Sequence, residues 1–262
     1  MTAQSPTTRG VRFAYLFGPP RFLGRDEASG IHGAICDALR LDDLAFQYSS
    51  DEKTKPPAAR GFAVELRRKE GRGGFAVSVN MGGLSSPMRC LITWDWPPSL
   101  EHVKQQFDKT ASALFGQLEG PWQKIVAEVR LRSHCGVPEA TALGFITGHM
   151  LRLSSDWLES LGKPLVFGSV QLQVAPSHDP EQPLQGPRRE LTVEVLREDP
   201  RSLYLELMSQ WPHMPAPTEL GAEFNVGKIR PILDKPSDYV EEAWAFLDSR
   251  LAALKAQAGE TP

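Results

Sequence analysis

Arginine side chains are the residues of this 262-residue chain whose spacing is most suggestive of binding chemistry. They fall around two segments of alternating apolar residues, near positions 62–79 and 191–210. A guanidinium group donates paired hydrogen bonds to carboxylates and phosphates, so each cluster suits an acidic protein surface or a phosphate-bearing ligand. Glutamates and aspartates are interspersed, and a solvated charged face is the competing interpretation. The candidate binding arginines are Arg67, Arg68, Arg72, Arg197 and Arg201.

Two tryptophans beside proline-containing loops form a second set of candidates. Trp96 precedes Pro97 and Pro98. Trp211 is the first residue of a predicted proline-rich loop over residues 211–218. An exposed tryptophan in such a position is typical of an anchor for a protein partner. The alternative is that both tryptophans close the hydrophobic core at strand ends.

Known catalytic motifs are absent from the sequence. It contains no G-x-x-x-x-G-K-[ST], no H-E-x-x-H and no G-x-S-x-G. His134 and Cys135 are adjacent, but neighbours on an extended chain point to opposite sides, so this histidine is poorly placed to activate this thiol. We therefore predict no catalytic residue.

Metal and cofactor sites are likewise not predicted. The three cysteines, Cys36, Cys90 and Cys135, are widely spaced and form no C-x-x-C pair, which argues against a zinc site and a disulfide framework. Glu65 and Glu194 have equivalent places in two similar segments and would share a proton or a metal if they faced each other. Their alternation with apolar neighbours favours plain exposure to solvent.

The two similar segments suggest an internal duplication. Val64-Glu65-Leu66 is followed by the alternation Phe75, Val77, Val79, and Val193-Glu194-Val195 is followed by Leu203, Leu205, Leu207. Each segment predicts a β-hairpin, because glycine-rich or proline-containing turns separate two alternating runs. Long amphipathic helices are predicted after Pro98-Ser99 and Pro236-Ser237. A further helix capped by Asp26 is predicted to run to about Leu39, a long helix from Pro138 to Leu161, and a last strand over residues 222–229.

Read in order, each half predicts the elements β-α-β-β-β-β-α. Sequential strands joined by short loops favour an α+β fold, with a mostly antiparallel, curved sheet and helices packed on one face. Two such pseudo-repeats, residues 10–120 and 121–258 after a disordered N-terminus over residues 1–9, would join into one continuous sheet. This order resembles the saddle fold of the TATA-binding protein in topology alone, and no activity follows from it.

Composition restricts the functional classes. The formal net charge of −3 and the pI near 6.1 give no overall attraction to nucleic acid or to an anionic membrane. Because no apolar stretch reaches the ~20 residues of a membrane span and the N-terminus lacks a secretory signal, we expect a cytoplasmic location. The abundance of Ala, Arg, Gly and Pro suggests a bacterial source.

These observations favour a non-enzymatic protein that binds a macromolecule, with an inhibitor or immunity protein as one concrete form. A protein partner is the leading hypothesis. The alternatives are binding of nucleic acid or a nucleotide by the hairpin arginines, and an enzyme with a pocket between the two halves. The sequence predicts neither the oligomeric state nor a cofactor.

Overall fold

The computed structural model of the chain is an α+β fold with one open, antiparallel, nine-stranded sheet. It describes residues 6–51, 55–56, 59–70, 73–83, 86–118, 123–137, 141–152, 168–174, 187–212, 233 and 235–259. The strands are β1 (Thr7–Gly18), β2 (Ala45–Ser50), β3 (Phe62–Glu70), β4 (Gly73–Met81), β5 (Met88–Asp95), β6 (Gln123–Gly136), β7 (Ser169–Val174), β8 (Arg188–Val195) and β9 (Ser202–Pro212).

Four helices accompany the sheet within the described residues. They are α1 (Arg25–Leu39), α2 (Leu100–Gln117), the short α3 (Ala142–Phe145), which continues into a π turn over Ile146–Met150, and α4 (Pro236–Gly259). Among the described residues, none of these helices combines the length and apolar character that a membrane span requires.

The strand order is β2-β3-β4-β5-β1-β6-β9-β8-β7. The centre of the sheet is therefore the antiparallel pair of β1 and β6, in which Phe13 lies opposite Val129. β1 begins at Thr7, where Thr7 and His134 are partners, so residues 7–9, which the sequence alone places in a frayed N-terminus, belong to the strand.

Strict alternation of side chains gives the sheet two different faces. The buried positions of β1 include Phe13 and Tyr15, and Phe13 contacts Phe107 of α2 and Tyr239 of α4 at ring-centroid distances of 6.4 and 5.8 Å. His32 of α1 stacks on Phe46 of β2 on the same side. Helices α1, α2 and α4 thus pack on one face, where each fully buried aromatic side chain contributes roughly 1.5–3 kcal/mol.

The starts of α2 and α4 agree with the sequence, and those of α1 and α3 differ from it. Ser99 caps α2 as predicted, because its Oγ accepts a hydrogen bond from the backbone N–H of His102 at 3.1 Å. For α1, Asp26 is the predicted cap, whereas the helix follows Gly24, whose N–H donates to the Glu27 carboxylate at 3.1 Å. Thr141 caps α3, and the long helix predicted from Pro138 to Leu161 is replaced over residues 142–150 by α3 and its π turn; residues 138–140 and 153–161 lie outside the described residues.

Both predicted hairpins are present, but they do not have equivalent positions in the sheet. Counted outward from the central pair, β4 and β3 are the second and third strands from the centre on one side, whereas β9 and β8 are the first and second on the other. Glu65 and Glu194 therefore do not face each other. Their strands are six spacings apart, which is about 29 Å at ~4.8 Å per strand.

The first half has the predicted order β-α-β-β-β-β-α in full. In the second half, β6, β7, β8 and β9 are present and β9 pairs directly with β6. The strand predicted over residues 222–229 lies outside the described residues.

The start of β4 must be a glycine. A Cβ at Gly73 would collide with the backbone carbonyl of Asp95, which cannot move without disturbing β5, whereas a Cβ at Gly33 of α1 would meet no atom within 4 Å. We predict that Gly73→Ala lowers the free energy of unfolding by about 2 kcal/mol or more. Gly33→Ala should raise it by about 0.5–1 kcal/mol, because alanine favours the helix.

Urea denaturation followed by circular dichroism measures both changes. If Gly73→Ala is as stable as the wild-type protein, the close packing of β4 against the end of β5 is wrong.

Candidate functional site

The face of the sheet opposite α1, α2 and α4, here called the open face, carries polar and charged side chains. These side chains stand at every second position of each strand. The register brings those of neighbouring strands next to each other. Arg12 of β1 lies opposite Thr93 of β5 and Arg130 of β6, and Gly10 lies opposite Asp95 and Arg132. With Arg89 of β5, these arginines form a central arginine row that consists of Arg12, Arg89, Arg130 and Arg132.

The four arginines of the central row differ in their partners. Arg132 forms an ion pair with Asp95, and Arg130 forms one with Glu206 at 3.2 Å. Arg12 and Arg89 make no ion pair or hydrogen bond with any described residue, and the Nε atom of Arg12 is buried without a partner. Burial, followed by the charge of Arg89, lowers the pKa of Arg12.

Carboxylates dominate one side of the open face, on β8 and β9. This acidic wing consists of Glu190, Glu194 and Glu206. Glu190 and Glu194 accept hydrogen bonds from Gln171 and Ser169 of β7 at 2.6 and 3.2 Å. Tyr204 donates to Glu206 at 2.8 Å, and burial together with this carboxylate raises the pKa of the phenol. The open face thus has a positive centre and a negative side.

An exposed tryptophan stands at one end of the central arginine row. Trp96 follows β5 in a left-handed conformation with φ of 51° and is 43% exposed. Its backbone N–H donates to the carbonyl oxygen of Arg9 at 2.7 Å, and the Arg9 guanidinium lies 4.8 Å from its ring centroid. Arg9 also pairs with Glu198 at 3.3 Å, and the His134 ring lies 6.5 Å from the indole. We call Arg9, Trp96, His134 and Glu198 the Trp96 corner.

A groove runs over β4 on the open face. The outward positions of β4 are the small residues Gly74, Ala76 and Ser78, and they lie between the longer side chains of β3 and β5. The resulting cavity has a volume of about 550 Å³, and Arg67 and Asp95 are among the residues at its rim. The groove therefore ends close to the Trp96 corner.

The structure separates the arginines predicted from the sequence. Arg67 is exposed on the open face and pairs with Glu65 at 2.6 Å, whereas Arg68 points to the helix side and pairs with Asp43 at 3.0 Å. Arg197 and Arg201 are exposed in the turn between β8 and β9, on the far side of the central pair from Arg67. Arg72 lies outside the described residues.

Trp211 has a different environment from Trp96. It belongs to β9 instead of a loop, is 9% exposed, and packs its ring 5.1 Å from that of Tyr239 in α4. The interpretation of Trp211 as a core residue therefore fits the structure, whereas its role as an exposed anchor does not. Residues 213–218 lie outside the described residues.

The residues considered for catalysis and metal binding are not assembled into a site. His134 is half-buried on the open face, while Cys135 is buried on the helix side. Burial raises the pKa of the Cys90 thiol to about 12. Within the part of the chain that the structure describes, no three His, Cys, Asp or Glu residues form a cluster able to hold a metal ion.

The central arginine row is not among the binding residues predicted from the sequence, although the sequence contains the alternation that places these arginines on one face. Arg12 stands between Val11 and Phe13, and Arg130 and Arg132 alternate with Val129 and Leu131. In a strand with one buried face, this alternation places the arginines together on the other face. What the sequence alone does not give is that β1 and β6 are neighbours.

Comparison with known protein families finds no match to this chain, and a search of curated proteins finds no similar sequence. Support for a function of the candidate site therefore comes from its geometry.

The pH dependence of stability tests the environment of His134. Burial, followed by the charge of Arg9, lowers the pKa of this histidine, while Asp199 and Glu198 oppose the shift. Because the unfolded chain binds the proton more readily, the favourable contribution is present above the ordinary pKa of about 6.5 and is lost as pH falls below it. We predict that His134→Gln weakens the decrease of unfolding free energy between pH 8 and pH 5.

Urea titrations of both proteins at the two pH values measure this difference. An equal decrease in the wild-type protein and the variant would contradict a histidine held neutral by its surroundings.

Proposed function

We propose that this chain is a non-enzymatic binding protein that docks an acidic protein partner on its open face. An inhibitor or immunity protein acting in the bacterial cytoplasm is the concrete form that we favour. The observation that supports the proposal best is the Trp96 corner, because it holds a large exposed side chain in a fixed position at the edge of a charged face.

The backbone conformation and the exposure of Trp96 both lower the stability of the free protein. A tryptophan in the left-handed region is strained by about 1–3 kcal/mol, and its exposure leaves much of the indole without the benefit of burial. The backbone hydrogen bond to Arg9 fixes the main chain at Trp96, and the Arg9 guanidinium over the indole restricts the ring before any partner arrives. Such a preorganised aromatic group is typical of the residues that contribute most to protein–protein affinity.

The charge pattern supports a protein partner over a nucleic acid. The central arginine row is positive, but Asp95, Glu128 and the acidic wing lie on the same face. A phosphate backbone would meet repulsion from these carboxylates, whereas a protein surface with its own charge pattern would align with both regions. We infer that acidic side chains of the partner lie over the central arginine row.

Nucleic-acid or nucleotide binding is the second candidate. The observation that favours it is that Arg12 and Arg89 have no carboxylate partner among the described residues. Arg68 and Arg197, which motivated this hypothesis in the sequence, contribute less, since Arg68 lies on the helix side and pairs with Asp43.

An enzyme with a pocket between the halves is the third candidate and has less support. The paired carboxylates that it required, Glu65 and Glu194, lie on strands six spacings apart. A cavity of about 770 Å³ does occur between α1, α2 and the start of α4, but His134 is not among its lining residues.

Internal duplication remains our proposal for the origin of the fold. In its favour, the first strand of each half, β1 or β6, lies at the centre of the sheet, and the other strands of that half lie farther out. The two hairpins do not have matching positions, because β3–β4 lies one strand farther from the central pair than β8–β9 does. A curved sheet with the saddle topology of the TATA-binding protein is the arrangement that two such repeats would form.

Trp96→Ala tests the proposed docking surface. Wild-type protein is used as bait in a lysate of the source cells, and a protein that it retains is purified for titration calorimetry. We predict that Trp96→Ala weakens the affinity at least tenfold, because hot-spot tryptophans contribute about 2 kcal/mol or more. Trp244→Ala, which removes a tryptophan from the helix layer, should bind like the wild-type protein once circular dichroism shows that it is folded.

A partner whose affinity is unchanged by Trp96→Ala would contradict the proposal. Retention of nuclease-sensitive nucleic acid, with an affinity that falls steeply between 50 and 200 mM salt, would instead support the second candidate at the expense of the first.

A further inference from the structure

Arg12 and Arg89 lie on adjacent strands and project from the same face of the sheet. Arg12 is opposite Thr93, and Arg89, four residues earlier on β5, is opposite Leu16. Their Cα atoms are therefore separated by about 14 Å, mostly along the strands. Two arginine side chains that extend toward each other can close this distance.

The alanine between the two arginines is covered by longer side chains, as arginine stems directed toward each other would cover it. Ala14 and its cross-strand partners, Leu91 on β5 and Glu128 on β6, lie midway between the two arginines in the register. Ala14 is on the open face and yet only 4% exposed, so longer neighbouring side chains cover its methyl group. Arginine side chains commonly lay their apolar stems over such a surface.

Electrostatic interactions give the same picture. The charge of Arg89 acts more strongly on Arg12 than does the charge of Arg130, although Arg130 is the direct cross-strand neighbour of Arg12. Repulsion between Arg12 and Arg89 is therefore unfavourable for the charged form of Arg12. Glu128 offsets part of it, but its carboxylate accepts a hydrogen bond from Gln210 at 2.9 Å and makes no ion pair with Arg12.

We propose that Arg12 and Arg89 together form an oxyanion-binding site, and that it takes one carboxylate group of the acidic partner. This assignment of the ligand rests on the proposed function, whereas the oxyanion chemistry of the site does not. Two guanidinium groups present several N–H donors to one anion, and the buried Nε of Arg12 is one donor that has no partner in the described part of the chain. Binding an oxyanion between them replaces a repulsion by two charge-assisted interactions.

Thermal unfolding in the presence of two probes tests the site on the isolated protein. The probes are inorganic phosphate and a hexaglutamate peptide, each compared with sodium chloride at equal ionic strength. At ten times Kd, a bound probe should raise the Tm of the wild-type protein by about 3–6 °C. The rise should be lost in the double variant Arg12→Gln/Arg89→Gln.

A matched control removes two other positive charges from the same face. Lys69→Gln/Arg188→Gln changes the net charge equally, and both residues are exposed. It should respond to both probes like the wild-type protein. Without a probe, the Arg12→Gln/Arg89→Gln variant should unfold at the same or a higher temperature, because the repulsion is removed, so a missing response cannot be attributed to misfolding.

Three results would overturn the inference. An equal response of the Arg12→Gln/Arg89→Gln variant would show that the site does not exist. A response to phosphate without one to hexaglutamate would remove the carboxylate assignment. A partner protein that binds this variant as tightly as the wild-type protein would do the same while leaving the proposed function intact.

Discussion

The antiparallel pairing of β1 with β6 is the constraint on which the rest of the structure depends. Eleven residue pairs join these strands, from Thr7 with His134 to Gly18 with Gln123. Without this ladder, the sheet would divide into β2-β3-β4-β5-β1 and β6-β9-β8-β7. The pairing joins residues more than a hundred positions apart, and contacts of such long sequence separation slow folding, because the chain between them must first be ordered.

The same ladder supplies both faces of the molecule. Inward positions such as Phe13 and Tyr15 pack against α2 and α4, and outward positions such as Arg12 and Arg130 form part of the central arginine row. Its register shifts between Thr8 and Gly10, which leaves Arg9 as an extra residue. Bulges of this kind redirect a side chain, and here Arg9 stacks on Trp96 while its carbonyl oxygen accepts the Trp96 N–H.

Local patterns predicted much of the fold, and long-range pairing limited the rest. Alternation identified the strands of both hairpins, and the Pro98-Ser99 pair marked the start of α2. The same alternation placed Glu65 and Glu194 away from the core, but the sequence does not specify which strands become neighbours. For that reason the sequence pattern aligns the two hairpins one strand out of step, and it does not indicate that Arg12 and Arg130 are neighbours.

The candidate site shows the same division between local and long-range information. Trp96 was identified because a tryptophan before two prolines ends a strand, and its type alone suggested an anchor. Arg68 was grouped with Arg67 because they are adjacent in sequence, yet adjacency in a strand sends side chains to opposite faces. Arg189 behaves like Arg68, since it pairs with Glu242 of α4 at 2.8 Å beneath the helix layer.

The separation of charges across the open face has a cost that points toward recognition. Evenly mixed charges would stabilise the free protein better than a row of arginines in which Arg12 and Arg89 lack carboxylate partners among the described residues. Glu206 of the acidic wing neutralises Arg130, but Glu190 and Glu194 accept hydrogen bonds from Gln171 and Ser169, so the wing leaves Arg12 and Arg89 without a carboxylate partner in the described part of the chain. A partner with acidic groups over the row and basic groups over the wing would relieve both imbalances in one orientation, whereas the reversed orientation would be repelled. The open face therefore favours one partner geometry through its charges, while the Trp96 corner contributes affinity at its end.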